Sequence, residues 1–150
     1  MTTSRINQQA IDLVKKFEGC KLKAYLCPAN VWTIGFGSTF YQNGTKVKRG
    51  EFITQTQADE LLKSTLAFFA FKVQPLITSS VNENQFGALV SFAYNCGVTA
   101  LGGSTLLKKV NNNPNDDSIG LEFMRWTKAK GVILPGLVKR RQAEKELYFS

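Results

Sequence analysis

The chain of 150 residues contains no histidine, and its 11 acidic residues are outnumbered by 19 lysines and arginines, for a net charge of +8. Without histidine, Ser-His and Cys-His nucleophile systems and most zinc sites are excluded. Acid–base chemistry therefore falls to carboxylates, cysteine, lysine or tyrosine. The three cysteines, Cys20, Cys27 and Cys96, lack the spacing of a metal cluster, and their odd number does not indicate a disulfide scaffold.

Long hydrophobic runs are also missing. No apolar segment has the length of a membrane span, and residues 1–6 lack the basic-then-apolar pattern of a signal peptide. We therefore expect cytoplasmic synthesis and no stable membrane insertion. The basic charge suits an anionic membrane, an anionic wall polymer or nucleic acid, or has no specific partner. Because the charge is spread along the chain apart from residues 139–141, and no nucleic-acid motif is present, we expect no nucleic-acid partner.

The apolar pattern changes period along the chain, while 43% hydrophobic residues supply a core for one folded domain. Helical spacing runs from about Asn7 to Phe17, with Gly19 just past the end. Residues 22–48 then alternate as strands do, and Asn43-Gly44 is a hairpin turn signal. These features predict a first helix and a small antiparallel sheet of two or three strands.

A capping box at Thr54 and Gln57 opens a long helix from Ala58 to about Gln74, which Pro75 ends. Further helix starts follow at Asn82 or Asn84, Ser104, Asp116 or Asp117, and Pro135, with a loop over residues 128–134. We predict a single α+β domain with two lobes. The small β lobe covers about residues 20–54, and the helical lobe covers about residues 75–150 with the N-terminal helix. A cleft between lobes is a common ligand site.

Glu18 lies where the first helix ends, a position at which helices prefer a lysine or an arginine. The negative pole of the helix dipole disfavours its ionised form, and an acid that keeps its proton suits general-acid catalysis. Most acids in such places are nevertheless structural. Nine residues on comes Cys27, and six more bring Thr33, between a strand tip and its partner strand. All three can face one cleft, where Gly35 and Gly37 allow a ligand close to the backbone.

Four blocks of the sequence, in order, resemble the phage-type lysozymes (endolysins) of the T-even phage class, glycoside hydrolase family 24. The blocks are Phe17–Tyr25 with Trp32–Gly37, Asn84–Gly97, Ser104–Leu107 and Leu134–Glu144. The resemblance implies a lysozyme-like fold and cleavage of the β-1,4 bond between N-acetylmuramic acid and N-acetylglucosamine in bacterial peptidoglycan. It implies no metal or cofactor, synthesis in the host cytoplasm, and release across the membrane by a separate permeabilising protein. We expect a monomer.

By this resemblance Glu18 is the general acid and Thr33 helps to hold the attacking water. The aspartate of the family pattern is replaced by Cys27, and a family histidine by Ser38. Cys27 could act as a thiolate base, supply negative charge, or be a bystander, and a disulfide with Cys20 is a further alternative. With a reference thiol pKa of about 8.5, a thiolate needs nearby cations, for which the lysines of the first strand are candidates.

The family also pairs its glutamate with an arginine from the late helical region, so Arg140 and Arg141 are both candidates, unless they belong to a solvated basic helix face. By position, Tyr94 and Thr105 correspond to saccharide contacts in the family, although Tyr94 could equally cap the central helix. Trp32, on the proposed cleft strand, is another candidate for sugar binding. The alternative function is a non-catalytic peptidoglycan-binding protein on the same fold, with its second acid lost.

Overall fold

A computed structural model describes residues 6–150. The first part of the chain contains a helix, two strands and a second helix, and the rest is mostly helical, as predicted for this α+β protein. In chain order the elements are α1 Gln8–Glu18, β1 Lys21–Leu26, β2 Trp32–Gly35, α2 Gln55–Val73, α3 Glu83–Cys96, α4 Val98–Gly102, α5 Thr105–Asn112, α6 Ile119–Phe123, β3 Lys128–Ala129, β4 Val132–Ile133 and α7 Pro135–Tyr148. A 3-10 turn, Gln74–Leu76, follows α2.

The first helix begins after Asn7, whose side chain accepts a hydrogen bond from the Ala10 amide, and it ends at Glu18. Its last residue is followed by Gly19 at φ 68°, a backbone conformation that glycine adopts without strain. One face of the helix packs into the core, and its buried residues are Ala10, Ile11 and Val14. The acid is therefore fixed at a helix end that faces the small lobe.

The small lobe is built on the antiparallel pair β1 and β2, with Lys21 opposite Gly35 and Leu26 opposite Trp32. Isolated bridges extend this pair to the loop around Phe52 and to the hairpin that turns at Asn43-Gly44. The predicted third strand is present only as these bridges. A small cluster of buried residues lies beneath the sheet: Ala24, Ile34, Val47 and Leu61.

Helix α2 connects the lobes. Its capping box of Thr54 and Gln57 is formed as predicted, although the helix begins at Gln55 rather than Ala58. Leu61 belongs to the small-lobe cluster, whereas the later buried residues of the helix join the large helical core. One continuous helix therefore packs into both cores and fixes the position of one lobe relative to the other across the cleft.

The helical lobe surrounds α3, in which every residue from Gln85 to Ala93 is buried. Asn82 is the cap of this helix, and Gln85 completes a capping box that the sequence analysis missed. The short helix α4 was also missed, and α6 begins after Ser118 rather than at an aspartate.

The segment 128–134, predicted as a loop, contains the β3–β4 hairpin, with its turn at Lys130 and Gly131 at positive φ. The sequence did not indicate this hairpin because strands of two exposed residues carry no apolar alternation. Within residues 6–150, no helix has the length and apolar character needed to cross a bilayer. The signal-peptide prediction rests on residues 1–6, of which the first five lie outside the described residues.

Candidate active site

Glu18 is bound by a buried arginine from the other end of the chain. Its Oε2 lies 2.5 Å from Nη1 of Arg140, on helix α7, and the arginine side chain is 4% exposed against 21% for the glutamate. Arg140, not Arg141, is therefore in contact with Glu18. Both arginines are buried, so residues 140 and 141 do not form a solvated helix face.

The other oxygen of Glu18 faces the small lobe. A Cβ added at Gly37 would lie 3.2 Å from Glu18 Oε1 and 3.9 Å from the Tyr94 hydroxyl, so the absent side chain leaves room for a ligand beside the acid. Tyr94 donates a hydrogen bond to the Phe36 carbonyl at 2.7 Å. Burial raises the pKa of this phenol far above its ordinary value, the charge of Glu18 raises it further, and Arg140 and Ser38 oppose the rise.

Cys27 and Thr33 lie together in the small lobe, Cys27 just after β1 and Thr33 in β2. The Cys27 amide donates to the Val31 carbonyl at 3.0 Å, and the Thr33 hydroxyl donates to the same carbonyl at 2.9 Å. The pKa of the Cys27 thiol is lowered, chiefly by a hydrogen bond from the Val31 backbone and also by the backbone of Ala29 and the Thr33 hydroxyl, while burial acts against this. These hydrogen bonds therefore favour the thiolate form of Cys27.

Tyr25 lies close to both candidate charges. Burial raises the pKa of its phenol, and the negative charges of Cys27 and then Glu18 add to that rise. The strand lysines expected to assist the thiolate are occupied elsewhere: Lys21 lies over the Tyr25 ring and Lys23 over the Phe52 ring. Backbone amides, which a sequence pattern does not reveal, take their place.

The structure does not bring every predicted site residue to this cluster. Trp32 is half-buried and packs on the small-lobe core. Thr105 is exposed at the first position of α5, and no described contact joins it to Glu18. The three cysteines are free, so Cys20 and Cys27 form no disulfide here, and the Cys20 thiol contacts Gln55 instead.

A cavity of about 580 Å³ continues from Gly37 and Tyr94 between the small lobe and helix α2. We call it the α2 groove. Its lining is aromatic and hydroxyl-rich and contains no charged side chain among the described residues: Gly37, Ser38, Thr39, Phe40, Tyr41, Gln42, Gly44, Leu61, Ser64, Thr65, Phe68, Phe69 and Tyr94. This groove was not predicted from the sequence. The available signal was that Phe68, which lines the groove, falls outside the apolar stripe of α2 and is exposed.

No group of three or more cysteine, aspartate or glutamate side chains suited to a metal ion occurs in the described part of the chain. The cluster around Glu18 offers a carboxyl group, a thiol and hydroxyl groups. A carboxyl group at the end of α1 and a polarised thiol with a threonine in the small lobe can both act on a ligand bound between the lobes.

Comparison with known proteins assigns this arrangement to a family. A model of the family described as phage lysozyme matches residues 15–144, which include the whole cluster. The chain belongs to the phage lysozyme family. The endolysin of Acyrthosiphon pisum secondary endosymbiont phage 1 is 41% identical over 97% of this chain and 98% of its own length. This finding confirms the resemblance seen in the sequence.

Other members differ in length but share the fold. The endolysin of Bacillus phage B103 is 39% identical over 97% of this chain, which spans about half (54%) of that relative. A solved structure of the endolysin from Escherichia coli O157:H7 phage FAHEc1 matches with a TM-score of 0.89 and 34% identity, over 97% of this chain and 94% of that one. The predicted lysozyme-like, two-lobed α+β fold is thus confirmed.

Proposed function

We propose that this protein is a peptidoglycan hydrolase, a muramidase that cleaves the β-1,4 bond between N-acetylmuramic acid and N-acetylglucosamine and serves as a phage endolysin. The observation that carries the proposal is the placing of Glu18, with one oxygen held by Arg140 and the other open toward Gly37 at the mouth of a cleft. Family membership and relatives named endolysins support the same activity.

In this mechanism Glu18 is the general acid. Because Arg140 holds Oε2, the proton that reaches the glycosidic oxygen leaves from Oε1, on the side of Gly37. After transfer, the carboxylate formed is stabilised by the guanidinium, which lies within hydrogen-bond distance and is shielded from water. Tyr94, kept protonated, borders the same space and supports a sugar ring or its hydroxyl groups.

Cys27 and Thr33 act on the opposite face. A glycosidase generally uses two carboxylates, and here the second is replaced by a thiol whose pKa is lowered. A Cys27 thiolate offers negative charge to an oxocarbenium-like transition state. The Thr33 hydroxyl lies beside the thiol and can donate its one proton either to the Val31 carbonyl or to a Cys27 thiolate. In either state its oxygen can accept a hydrogen bond from the attacking water. A water between sulfur and sugar gives inversion at the anomeric carbon.

The glycan extends from the acid into the α2 groove. Aromatic rings and hydroxyl groups suit the apolar faces and polar edges of acetylated sugars, and a groove without charge does not favour the acidic stem peptides. The protein's charge of +8 instead attracts the anionic wall over a longer range, so wall binding should weaken as salt rises. Trp32 and Thr105 remain candidates for outlying sugar contacts.

The wider setting follows from the same proposal. One domain comprises residues 1–150, with a β lobe at about residues 20–54 and a helical lobe at about residues 75–150 plus the N-terminal helix. It acts as a monomer without metal or cofactor, because the proposed reaction needs only an acid, a water and a nearby negative charge. Synthesis is in the host cytoplasm, and a separate membrane-permeabilising protein gives access to the wall.

The sugar at the new reducing ends of the glycan tests this proposal. Purified peptidoglycan is digested, reduced with borohydride and hydrolysed, and the reduced sugar is identified. We expect muramitol, because hydrolysis of the muramyl bond leaves N-acetylmuramic acid at the reducing end. Glucosaminitol would identify a different bond, and a 1,6-anhydro end would contradict attack by water.

The matched control is Glu18→Gln, which keeps the size of the side chain and removes its proton. We expect it to lower the rate of end formation by about 10²- to 10⁴-fold with an unchanged circular dichroism spectrum. A non-catalytic wall-binding protein would instead give no new ends in either form. Equal rates in the two forms would remove Glu18 from the mechanism.

A further inference from the structure

A buried ionic cluster lies behind the Glu18–Arg140 pair. It consists of Arg140, Arg141 and Glu144 on α7 and Ser91 on α3, and the three charged residues are at most 3% exposed. Glu144 Oε2 accepts hydrogen bonds from the Ser91 hydroxyl at 2.6 Å, Arg140 Nε at 3.3 Å and Arg141 Nη2 at 3.1 Å. Burial raises the pKa of Glu144, whereas the two adjacent guanidinium groups and the Ser91 hydroxyl favour its ionised form.

The charges of this cluster balance only when Glu144 is counted. Arg140 is shared between two carboxylates, Glu18 and Glu144. Arg141 has Glu144 as its only carboxylate contact in the described residues, with Oε1 at 2.7 Å from Nε. Its remaining polar contacts are neutral, namely the Asn95 side chain at 2.9 Å and the Cys96 sulfur at 2.7 Å. Two guanidinium groups are therefore matched by two carboxylates.

The same contacts fix the direction of Arg140. Its Nε is held by Glu144, its Nη2 donates to the Ser91 carbonyl at 3.2 Å, and its Nη1 is left to bind Glu18. A guanidinium held at two edges presents the third in one orientation. Since buried charges without partners are strongly disfavoured, losing Glu144 would leave Glu18 as the nearest counterion for both arginines.

We propose that Glu144 is a positioning residue for the reaction: it neutralises Arg141 and orients Arg140, so that Glu18 faces the charge of a single shared cation and can still take up the proton it donates. The proposal rests on the proposed function, in which Glu18 acts as the acid. The other groups that face Glu18 are Tyr94 from α3 and Tyr25 from β1, with Cys27 beyond Tyr25. None of them changes in the variants below.

The test is the alkaline limb of the pH–activity profile, because activity falls there as the acid loses its proton. Glu144→Gln leaves an extra positive charge beside Glu18, so we expect the limb to move to lower pH by about one unit. Arg141→Gln leaves an extra negative charge and should move the limb to higher pH. In the double variant Glu144→Gln/Arg141→Gln the balance returns, and the limb should return toward its wild-type position.

Glu122→Gln is the matched control. Glu122 is another buried carboxylate, 3% exposed, that binds Lys109 at 2.9 Å and Arg125 at 3.0 Å, and no described contact joins it to Glu18. This variant should lose stability as Glu144→Gln does, but its pH limb should stay in place. Thermal unfolding followed by circular dichroism separates the stability loss from the shift.

Each result of this experiment has a definite meaning. Opposite shifts in the two single variants, cancelled in the double variant, support the proposal. If Glu144→Gln does not fold, the alkaline shift of Arg141→Gln and the unshifted limb of the double variant carry the test. Unmoved limbs, or a limb moved equally by Glu122→Gln, would overturn it. If the wild-type protein forms no new ends at any pH, the proposed function fails instead.

Discussion

The two lobes of this protein are stabilised in different ways. The helical lobe encloses a large core around α3 and a buried ionic cluster, whereas the small lobe has four buried hydrophobic residues and depends on strand pairs, isolated bridges and turns. The helical side supplies the fixed charges, Glu18 with Arg140, and the small lobe supplies Cys27, Thr33 and the open backbone at Gly37. In the proposed mechanism the acid thus belongs to the dense lobe, and the thiol and threonine that act with it belong to the sparse one.

Among the changes that compare the two lobes, the largest effect is expected from the charge offered by the small lobe. Cys27→Ser should lower the rate of wall hydrolysis by about 10²-fold or more, because a serine hydroxyl stays neutral, whereas Cys27→Asp should restore most of the activity with a carboxylate. Rates of end formation on purified peptidoglycan measure both. Cys20→Ser, at an exposed thiol that contacts Gln55, is the control and should behave as wild type. If the Ser and Asp variants were both as active as wild type, Thr33 and backbone groups alone would position the attacking water.

A glycine pair tests how closely the small lobe approaches the acid. Gly37→Ala puts a methyl group 3.2 Å from Glu18 Oε1 at φ 93°, and we expect a loss of about 10- to 100-fold in kcat. Gly50→Ala has a similar φ of 84° but nothing within 4 Å of the new methyl, so it carries the backbone strain without the contact. Both variants should have midpoints of thermal unfolding that are lower than that of the wild type by a similar amount. If the Gly50 variant lost as much activity, strain rather than proximity would explain the effect.

Two isoleucines compare the cohesion of the lobes directly. Ile34 in the small lobe and Ile119 in the helical lobe are both 0% exposed, and shortening either to valine should lower the free energy of unfolding by about 0.5–1.5 kcal/mol. We expect Ile34→Val also to speed amide exchange in β1 and β2 while leaving α3 protected, since the sparse lobe can open locally. Equal acceleration in α3 would show that the two lobes open together.

The smallest effect is an alkaline weakening of the small lobe. The Tyr41 hydroxyl donates to Glu51 at 3.0 Å, and burial together with this carboxylate raises the pKa of the phenol to about 12. Because the folded pKa is above the unfolded value near 10, the contribution is complete below about pH 10 and is lost as the pH rises through about 12. The melting temperatures of wild type and Tyr41→Phe should therefore differ at pH 8 and converge toward pH 12. A gap that stayed constant would contradict this account.

Local signals in the sequence predicted most of the elements. The capping box at Thr54, the Ser104 cap and the helix start at Pro135 each depend on residues within one turn of helix, and each is formed. The hairpin turn at Asn43-Gly44 is of the same kind. Signals failed where they were weak or duplicated, as for the β3–β4 hairpin and the choice between adjacent caps, because strands of two residues and neighbouring asparagines or aspartates carry little information.

Periodicity, caps and spacing, which are local properties of the chain, were enough to indicate the fold class and the order Glu18, Cys27, Thr33. The family was indicated by the resemblance of four sequence blocks to phage-type lysozymes. Only the tertiary structure decided that Arg140 binds Glu18 across 122 positions, that Arg141 turns to Glu144 instead, and that backbone amides, not lysines, lower the pKa of Cys27. Adjacent arginines are equivalent in a sequence. They differ in the protein because successive residues of a helix point about 100° apart, so packing gives each a different neighbour.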